Sequence, residues 1–435
     1  MRRWLTFLVV MSTIITGCGG LVPSTQPEDP STGLFGEKTG QHQVYTAVDR
    51  EDYRDTEAEH GTDNETEYGL HNIGKTELKY AEGFSIDHFD NGLCLITIPE
   101  SGRYLIIPEK DRVTDQTGVS AETSESGESD IPETLLNDPG ITVIKKPVDN
   151  IYLASSSVMD FYDKLGCLDN VAMTSTRPSD WSLENVRDRV ESGEISYIGK
   201  YSSPDYELLL NGSCGLAIEN TMIYHNPEAK ELIEKMGIPV LVERSSYEAH
   251  PLGRMEWIKL YGCLMDKEKE AEEYFDKKLA ELNESLTGVK YDKKVLFFYI
   301  TAGGYVNVRK PGDYIARMIE LAGGDYALSD IGADEENALS TMNISLEDFY
   351  LKGKDADILI YNSTVDGGVR DISQLLEKSA LLKDFRSVKE GNVFCTNKDM
   401  FQETTGACDM IAELSEVISG KSGDTDSMKY LHRLR

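Results

Sequence analysis

The sequence predicts an α/β fold with two lobes of mainly parallel sheet joined by one long helix. Three observations lead there. Beyond residue 140, short apolar runs alternate with segments of helical periodicity, the pattern of strands linked by helices. That alternation occurs twice. Between the two blocks lies Asp266–Gly288, DKEKEAEEYFDKKLAELNESLTG, where Ala271, Phe275, Leu279, Leu282 and Leu286 recur at helical spacing, with charges between them. This is the strongest helix in the chain. Asp266 suits its N-cap, Glu268 and Glu270 suit the positive end of the macrodipole, and Gly288 suits the C′ position. At 1.5 Å per residue it would run about 30 Å, the side of a small domain.

The chain opens with Arg2 and Arg3, an apolar stretch from Trp4 to Ile15 too short to span a bilayer, and Ile15-Thr16-Gly17-Cys18. This segment resembles a bacterial lipoprotein signal, which implies cleavage before Cys18 and lipidation of its thiol. Residues 1–18 are assigned to that signal. No other apolar run reaches 18 residues, so the remainder is expected to be soluble and tethered outside the cytoplasmic membrane. From Gly19 to Glu77 the chain is rich in Pro, Gly, Thr, Asp and Glu and has few spaced apolar residues. Such a segment buries too little to offset its chain entropy, so 19–77 reads as a disordered acidic linker. A second acidic tract, Thr114 to Asp138, reads as an exposed loop. Between the tracts, AEGFSIDHFDNGLCLITIPESGRYLIIPEK alternates as two or three strands, with turns at Asp90–Gly92 and Glu100–Gly102.

From Ile141 the first lobe runs as strand and helix in turn, with Pro204–Leu210 and NPEAKELIEKMG as helices and CGLAIEN and IPVLVE as strands. After the long helix come KKVLFFYI, PGDYIARMIELAGG, SLEDFYLKGK, DADILIYN, NVFCTN and a last helix near Gly406–Ile418. The expected limits are 78–265 for the first lobe, 266–288 for the connecting helix and 289–425 for the second lobe.

Composition excludes some functions. With 44 basic against 76 acidic residues and a net charge of −32, the chain lacks the basic footprint that nucleic acid requires. Besides Cys18, six cysteines are scattered at 94, 167, 214, 263, 395 and 408 without a CxxC pair, and the seven histidines show no HExxH or HxH spacing. Neither a zinc cluster nor a dithiol motif is suggested, and no metal centre or cofactor is expected. Export would permit a disulfide, but the spacing favours no particular pair. TAGGYVN and ELAGGDY match no nucleotide-binding pattern and read as a βα turn and a helix end. No GxSxG elbow is present, and Ser155–Ser157 has no histidine in a supporting pattern, so no catalytic residue and no enzyme activity are expected.

The order NPEAKELIEKMGIPVLVE, HPLGRMEWIKLYGCLMDKEKEAEEYFDKKL, YIARMIELAGGDYAL, ISLEDFYLKGKDADILIYN and VKEGNVFCTNKDMF resembles the substrate-binding proteins of ABC importers. The similarity is to the class with a single rigid connecting helix that carries iron–siderophore complexes, haem or cobalamin. The resemblance implies a monomeric receptor that takes a small-molecule ligand between its lobes and passes it to an ABC permease and its ATPase. It further implies docking through one acidic residue per lobe, here Glu207 in SPDYELLL and Glu347 in ISLEDFY. Loops at the carboxyl ends of the strands should line the cleft. In the first lobe these supply Ser155–Ser157, Arg177, Trp181, Tyr201, Glu219, Asn220, Arg244 and Tyr247. The second lobe supplies Tyr305, Asn307, Arg309, Met400 and Phe401. Aromatic rings suit flat macrocycles and catecholates, and arginines suit carboxylates or an anionic chelate.

Overall fold

The computed structural model describes residues 66–67, 69–109, 131–286, 288, 290–332, 341–364, 368–421 and 428–435. The signal segment with Cys18 and most of the acidic spacer lie outside the described residues. Among the described residues no helix is long and apolar enough to cross a membrane.

A six-stranded sheet comes first, built in chain order from Thr66–Glu67, Leu70–Lys75, Ser85–Phe89, Cys94–Ile98, Gly102–Ile107 and Ile141–Lys145. Its pairings are antiparallel until the last, which is parallel. Both expected turns are present, with Gly92 at φ 81° and Glu100 at φ 65°. The sheet starts before the expected linker limit at 77. Leu70 is buried there, and its strand pairs through backbone groups that hydrophobic periodicity does not register. The second acidic tract likewise ends in order rather than loop: Glu133–Leu136 is a short helix whose Leu135 is buried against Leu105 and Ile141 in a small core cluster.

The first lobe's second sheet is five-stranded and wholly parallel, in the order Val240–Glu243, Ala217–Asn220, Ile151–Leu153, Val171–Thr174, Ser196–Tyr197. Helices Met159–Lys164, Glu184–Ser192, Tyr206–Asn211 and Pro227–Lys235 make the crossovers. In the second lobe Lys294–Ile300 is central to a seven-stranded sheet. It runs parallel to Ile358–Tyr361, which is followed by Val393–Thr396. On its other side TAGGYVN is a β-hairpin rather than the expected βα turn. Gly304 takes φ 79° and the Thr301 amide donates to the Tyr305 carbonyl, so Val306–Arg309 returns antiparallel and pairs with Thr341–Ile344. Past the expected end at 425, Leu431–Arg433 adds an antiparallel edge strand beside Val393–Thr396, held by buried Tyr430, Leu431 and Leu434.

The connecting helix spans Glu268–Ser285. Asp266 is not its N-cap: it sits at φ 54° and its carboxylate accepts from Lys146 Nζ at 2.6 Å. Ala271, Phe275 and Leu282 are buried, as the apolar stripe requires. The helix lies against Ile258–Leu264 so closely that a Cβ on Gly262 would meet the Ala271 Cβ at 2.7 Å. On its other flank is Ala407–Ser419. Polar bonds tie the helix to both lobes, with Lys79 on Asp276 at 2.6 Å, Lys278 on Asp409 at 3.0 Å and the Tyr274 hydroxyl 3.3 Å from Thr405 Oγ1.

Two buried carboxylates fasten the incoming chain to the helices before this connection. Glu256 accepts from the amides of Lys79, Tyr80 and Ala81 and from Lys259 Nζ at 2.9 Å, and Glu248 accepts from Gly83 N and Trp257 Nε1. Removing one member of a buried hydrogen-bonded ion pair strands its partners. Glu256→Ala is therefore expected to cost about 3–5 kcal/mol of unfolding free energy. Urea titration checks this, and a loss below about 1 kcal/mol, the worth of one ordinary hydrogen bond, would contradict it.

Candidate functional site

Where the lobes meet, the helix Pro251–Glu256 of the first faces the helix Tyr314–Leu321 and the segment 400–410 of the second. A small cavity with about 10 Å³ of enclosed space lies between them, lined by Pro251, Arg254, Tyr314, Met318, Met400, Phe401, Glu403, Thr404, Ala407 and Met410. The Arg254 guanidinium stands 3.9 Å over the Tyr314 ring, and its Nε has no hydrogen-bond partner among the described residues. Arg309 is 5.4 Å from the Phe401 ring and 5.9 Å from Tyr314. Its charge is answered by Asp313 Oδ2 at 3.3 Å, which helps hold the guanidinium pKa up against burial. Asp313 also caps the helix Tyr314–Leu321 by accepting from Ile315 N at 2.9 Å. The lining sets Arg254 among aromatic rings and methionines, with Arg309 adjoining at Phe401, a surface able to bind a flat or anionic group.

Beside the cavity the lobes are pinned together. Asp160, fully buried, accepts from both the amide and the hydroxyl of Thr405 at 2.7 and 2.6 Å. Thr404 Oγ1 donates to the Ser157 carbonyl, and Gln402 bonds Ser182 and the Asp180 carbonyl. These bonds give the lobes a defined approach at the base of the cleft.

The expected site residues divide into several groups. Arg309 and Phe401 come together as described. Arg244 stacks 4.4 Å over Tyr247 and is paired with Glu100 at 2.7 Å, so the hairpin turn of the six-stranded sheet reaches the carboxyl end of Val240–Glu243. Tyr305 is 57% exposed at its hairpin tip, the most open of the expected rings. Tyr201 is half-buried and packs on the core of the parallel sheet. Arg177 is exposed and bridged to Asp180 at 2.9 Å. Asn220 accepts from Met222 N and caps a 3-10 turn. Asn307 donates to Asn343 across the sheet. Trp181 and Glu219 point inward, Trp181 into the main core and Glu219 with no exposed surface. Ser155 donates to Glu243 Oε1 at 2.8 Å, so its hydroxyl faces a carboxylate. Arg254 and Tyr314 carry the cavity yet escaped the sequence reading, because each lies inside a helix whose periodicity marks it only as ordinary packing.

Glu207 and Glu347 occupy equivalent places. Each is exposed, is the second residue of a helix and follows a side-chain cap: Asp205 accepts from Glu207 N and Leu208 N, and Ser345 accepts from Asp348 N. Each helix leads into a strand inside its sheet, Ala217–Asn220 or Ile358–Tyr361.

No family model matches the chain. An uncharacterized lipoprotein of Methanocaldococcus jannaschii is 26% identical over 231 residues, 51% of this chain and 52% of that protein. An uncharacterized protein of the same organism is 28% identical over 248 residues, 55% of this chain and 71% of its own length. The chain thus spans about half the length of the first of these relatives. Among solved structures, a periplasmic binding protein from Veillonella parvula is similar with a TM-score of 0.51 at 18% identity, covering 63% of this chain and 93% of that one. The periplasmic haem-binding protein HutB of Vibrio cholerae gives 0.50 at 16%, covering 61% and 98%. The petrobactin-binding protein YclQ from Bacillus subtilis gives 0.50 at 16%, covering 65% and 94%. At these identities the likeness is one of architecture: this chain has the two-lobed fold of periplasmic binding proteins.

Proposed function

We propose that the protein is a lipid-anchored extracytoplasmic receptor, held through Cys18, that binds an iron complex, a siderophore chelate or haem, between its lobes and delivers it to an ABC permease. The observation that carries this reading is the cavity between the lobes, where Arg254 presents positive charge beside Tyr314 and Phe401, with Arg309 adjoining at 5.4 Å from the Phe401 ring. Ferric chelates and haem propionates are anionic, and desolvated arginines bind such groups more strongly than exposed ones. With about 10 Å³ of enclosed space, room for about one water, the cavity is far smaller than ordinary ligand pockets, which run from about 300 to 1,000 Å³. Loading therefore requires the lobes to part around the helix Glu268–Ser285, with the bonds at 402–405 opening first. A corrinoid needs still more opening and offers less negative charge, which favours the iron complexes.

Tryptophan fluorescence titration with haem, a ferric catecholate and cobalamin tests the reading. An iron complex should bind, and Arg254→Ala should weaken it about tenfold to a hundredfold, the worth of a charged hydrogen bond of ~1.5–3 kcal/mol. Failure of all three ligands to bind, or an unchanged affinity in the variant, would overturn the assignment of this cavity.

A further inference from the structure

The C-terminal end of the chain reaches back to the cavity through Glu403. Lys429 and Tyr430, just before the edge strand Leu431–Arg433, are fixed by their backbone groups. Their amides donate to the two carboxyl oxygens of Glu413, and Asn397 N donates to the Tyr430 carbonyl at 2.8 Å. Asn397 Nδ2 donates to the Lys429 carbonyl, and His432 Nδ1 stands 2.7 Å from Asn397 Oδ1. The tail is thus tied at Asn397, three residues before Met400 of the cavity lining. Both of its side chains then meet one group. The Tyr430 hydroxyl donates to Glu403 Oε2 at 2.6 Å, and Lys429 Nζ lies 2.5 Å from the same oxygen. Tyr430 comes so close that a side chain at Gly406 would collide with its hydroxyl.

Glu403 is buried and is the one acidic residue of the cavity lining. The same lining holds the buried Arg254, whose Nε has no hydrogen-bond partner among the described residues. Arg309 beside it has a carboxylate of its own in Asp313. A buried carboxylate and a buried guanidinium on one cavity the size of about one water would ordinarily pair, because each has lost hydration that the other's charge replaces. Here the carboxylate turns to the tail instead.

We propose, on the receptor reading above, that Tyr430 and Lys429 are positioning residues that hold the Glu403 carboxylate away from Arg254, leaving that guanidinium free for an anionic ligand. Tyr430 carries the larger share. It is buried, and burial followed by the Glu403 carboxylate pushes its pKa far up, so the phenol remains a donor. Lys429 is half-exposed, where solvent screens its attraction. The other charges acting near Glu403 are the carboxylates of Asp160 and Asp399, whose repulsion the two donors offset.

The test uses the full-length chain carrying Tyr430→Phe, Lys429→Ala or both, each with and without Glu403→Gln, and circular dichroism to confirm folding. Fluorescence titration with haem and with a ferric catecholate should show about tenfold weaker binding when both tail residues are replaced, the scale of one charged hydrogen bond. Tyr430→Phe alone should give most of that loss. Adding Glu403→Gln should recover it, since a glutamine has no charge to set on Arg254. A loss that Glu403→Gln does not recover would make Tyr430 and Lys429 packing residues only and overturn the proposal, as would an affinity unchanged within about twofold. A crystal structure of the ligand-free chain with both tail replacements reads the placement without any ligand. Glu403 should then lie within about 4 Å of the Arg254 guanidinium, and a carboxylate still turned away would overturn the proposal. If neither probe binds the parent chain, the receptor reading falls, and that structure alone decides where the tail holds Glu403.

Discussion

Reversing both Glu207 and Glu347 to Arg is expected to abolish uptake of the bound complex while leaving ligand affinity within about twofold, a change below ~0.5 kcal/mol. Both side chains are exposed and neither lines the cavity, so their loss removes no ligand contact. Each variant places a cation at a helix N-terminus, which costs about 0.3–1 kcal/mol. That is small against the ~5–15 kcal/mol of a folded domain, and the Asp205 and Ser345 caps remain. What changes is the sign of one exposed charge on each lobe, at equivalent points of two helices that lead into sheet-interior strands. A permease that reads both lobes through basic residues would meet repulsion twice, and like-charge contact suppresses docking strongly. Uptake of labelled complex by cells carrying the double variant is the measurement, with circular dichroism as the control for folding. Undiminished uptake would remove these residues from the docking surface.

Glu219→Gln is expected to stabilise the protein above neutral pH, and its effect should vanish in acid. Glu219 has no exposed surface, and neither carboxyl oxygen has a hydrogen-bond partner among the described residues. Burial pushes its pKa up from 4.5 to about 8. The folded state therefore holds the proton more tightly than the unfolded chain. Stability falls as pH rises from about 4.5 to about 8 and is flat beyond. At about 1.4 kcal/mol per pH unit across that window, the charged carboxylate costs the fold up to ~5 kcal/mol in mild alkali. A glutamine keeps the shape and avoids the charge. Thermal melts at pH 5 and pH 8.5 should show the variant nearly equal to the parent at the first and clearly more stable at the second. Equal melting temperatures at both would show that the carboxylate finds compensation.

The outcome at Glu219 illustrates where sequence reading stopped. Its place in AIEN, at the end of a predicted strand, put it near the carboxyl end of the sheet, and that placement is right. Which face it points to depends on strand register. Ala217–Asn220 is paired on both sides, with Glu219 opposite Val242, and a one-residue shift would turn the carboxylate to the other face. Trp181 went the same way, placed in the expected loop but turned into the core. Arg309 and Phe401 were found because each follows an apolar run read as a strand, where cleft-lining residues are expected. Arg254 and Tyr314 were not, because a buried arginine inside HPLGRMEWI carries no local signal of what stands opposite it.

Legible in the sequence alone were the alternation of strands and helices and a long helix over 266–288 between two such blocks, which the structure gives as Glu268–Ser285; both rest on local periodicity, interactions between residues a few positions apart, whereas Glu207 and Glu347 were singled out by the family resemblance. Tertiary structure alone places Leu70–Lys75 and Leu431–Arg433 in sheets, brings Arg254 to Tyr314 across the lobes, and sets the Ala81 amide on Glu256 from 175 positions away along the chain. Those contacts depend on sheet register and helix packing, where burial of distant partners outweighs local preference.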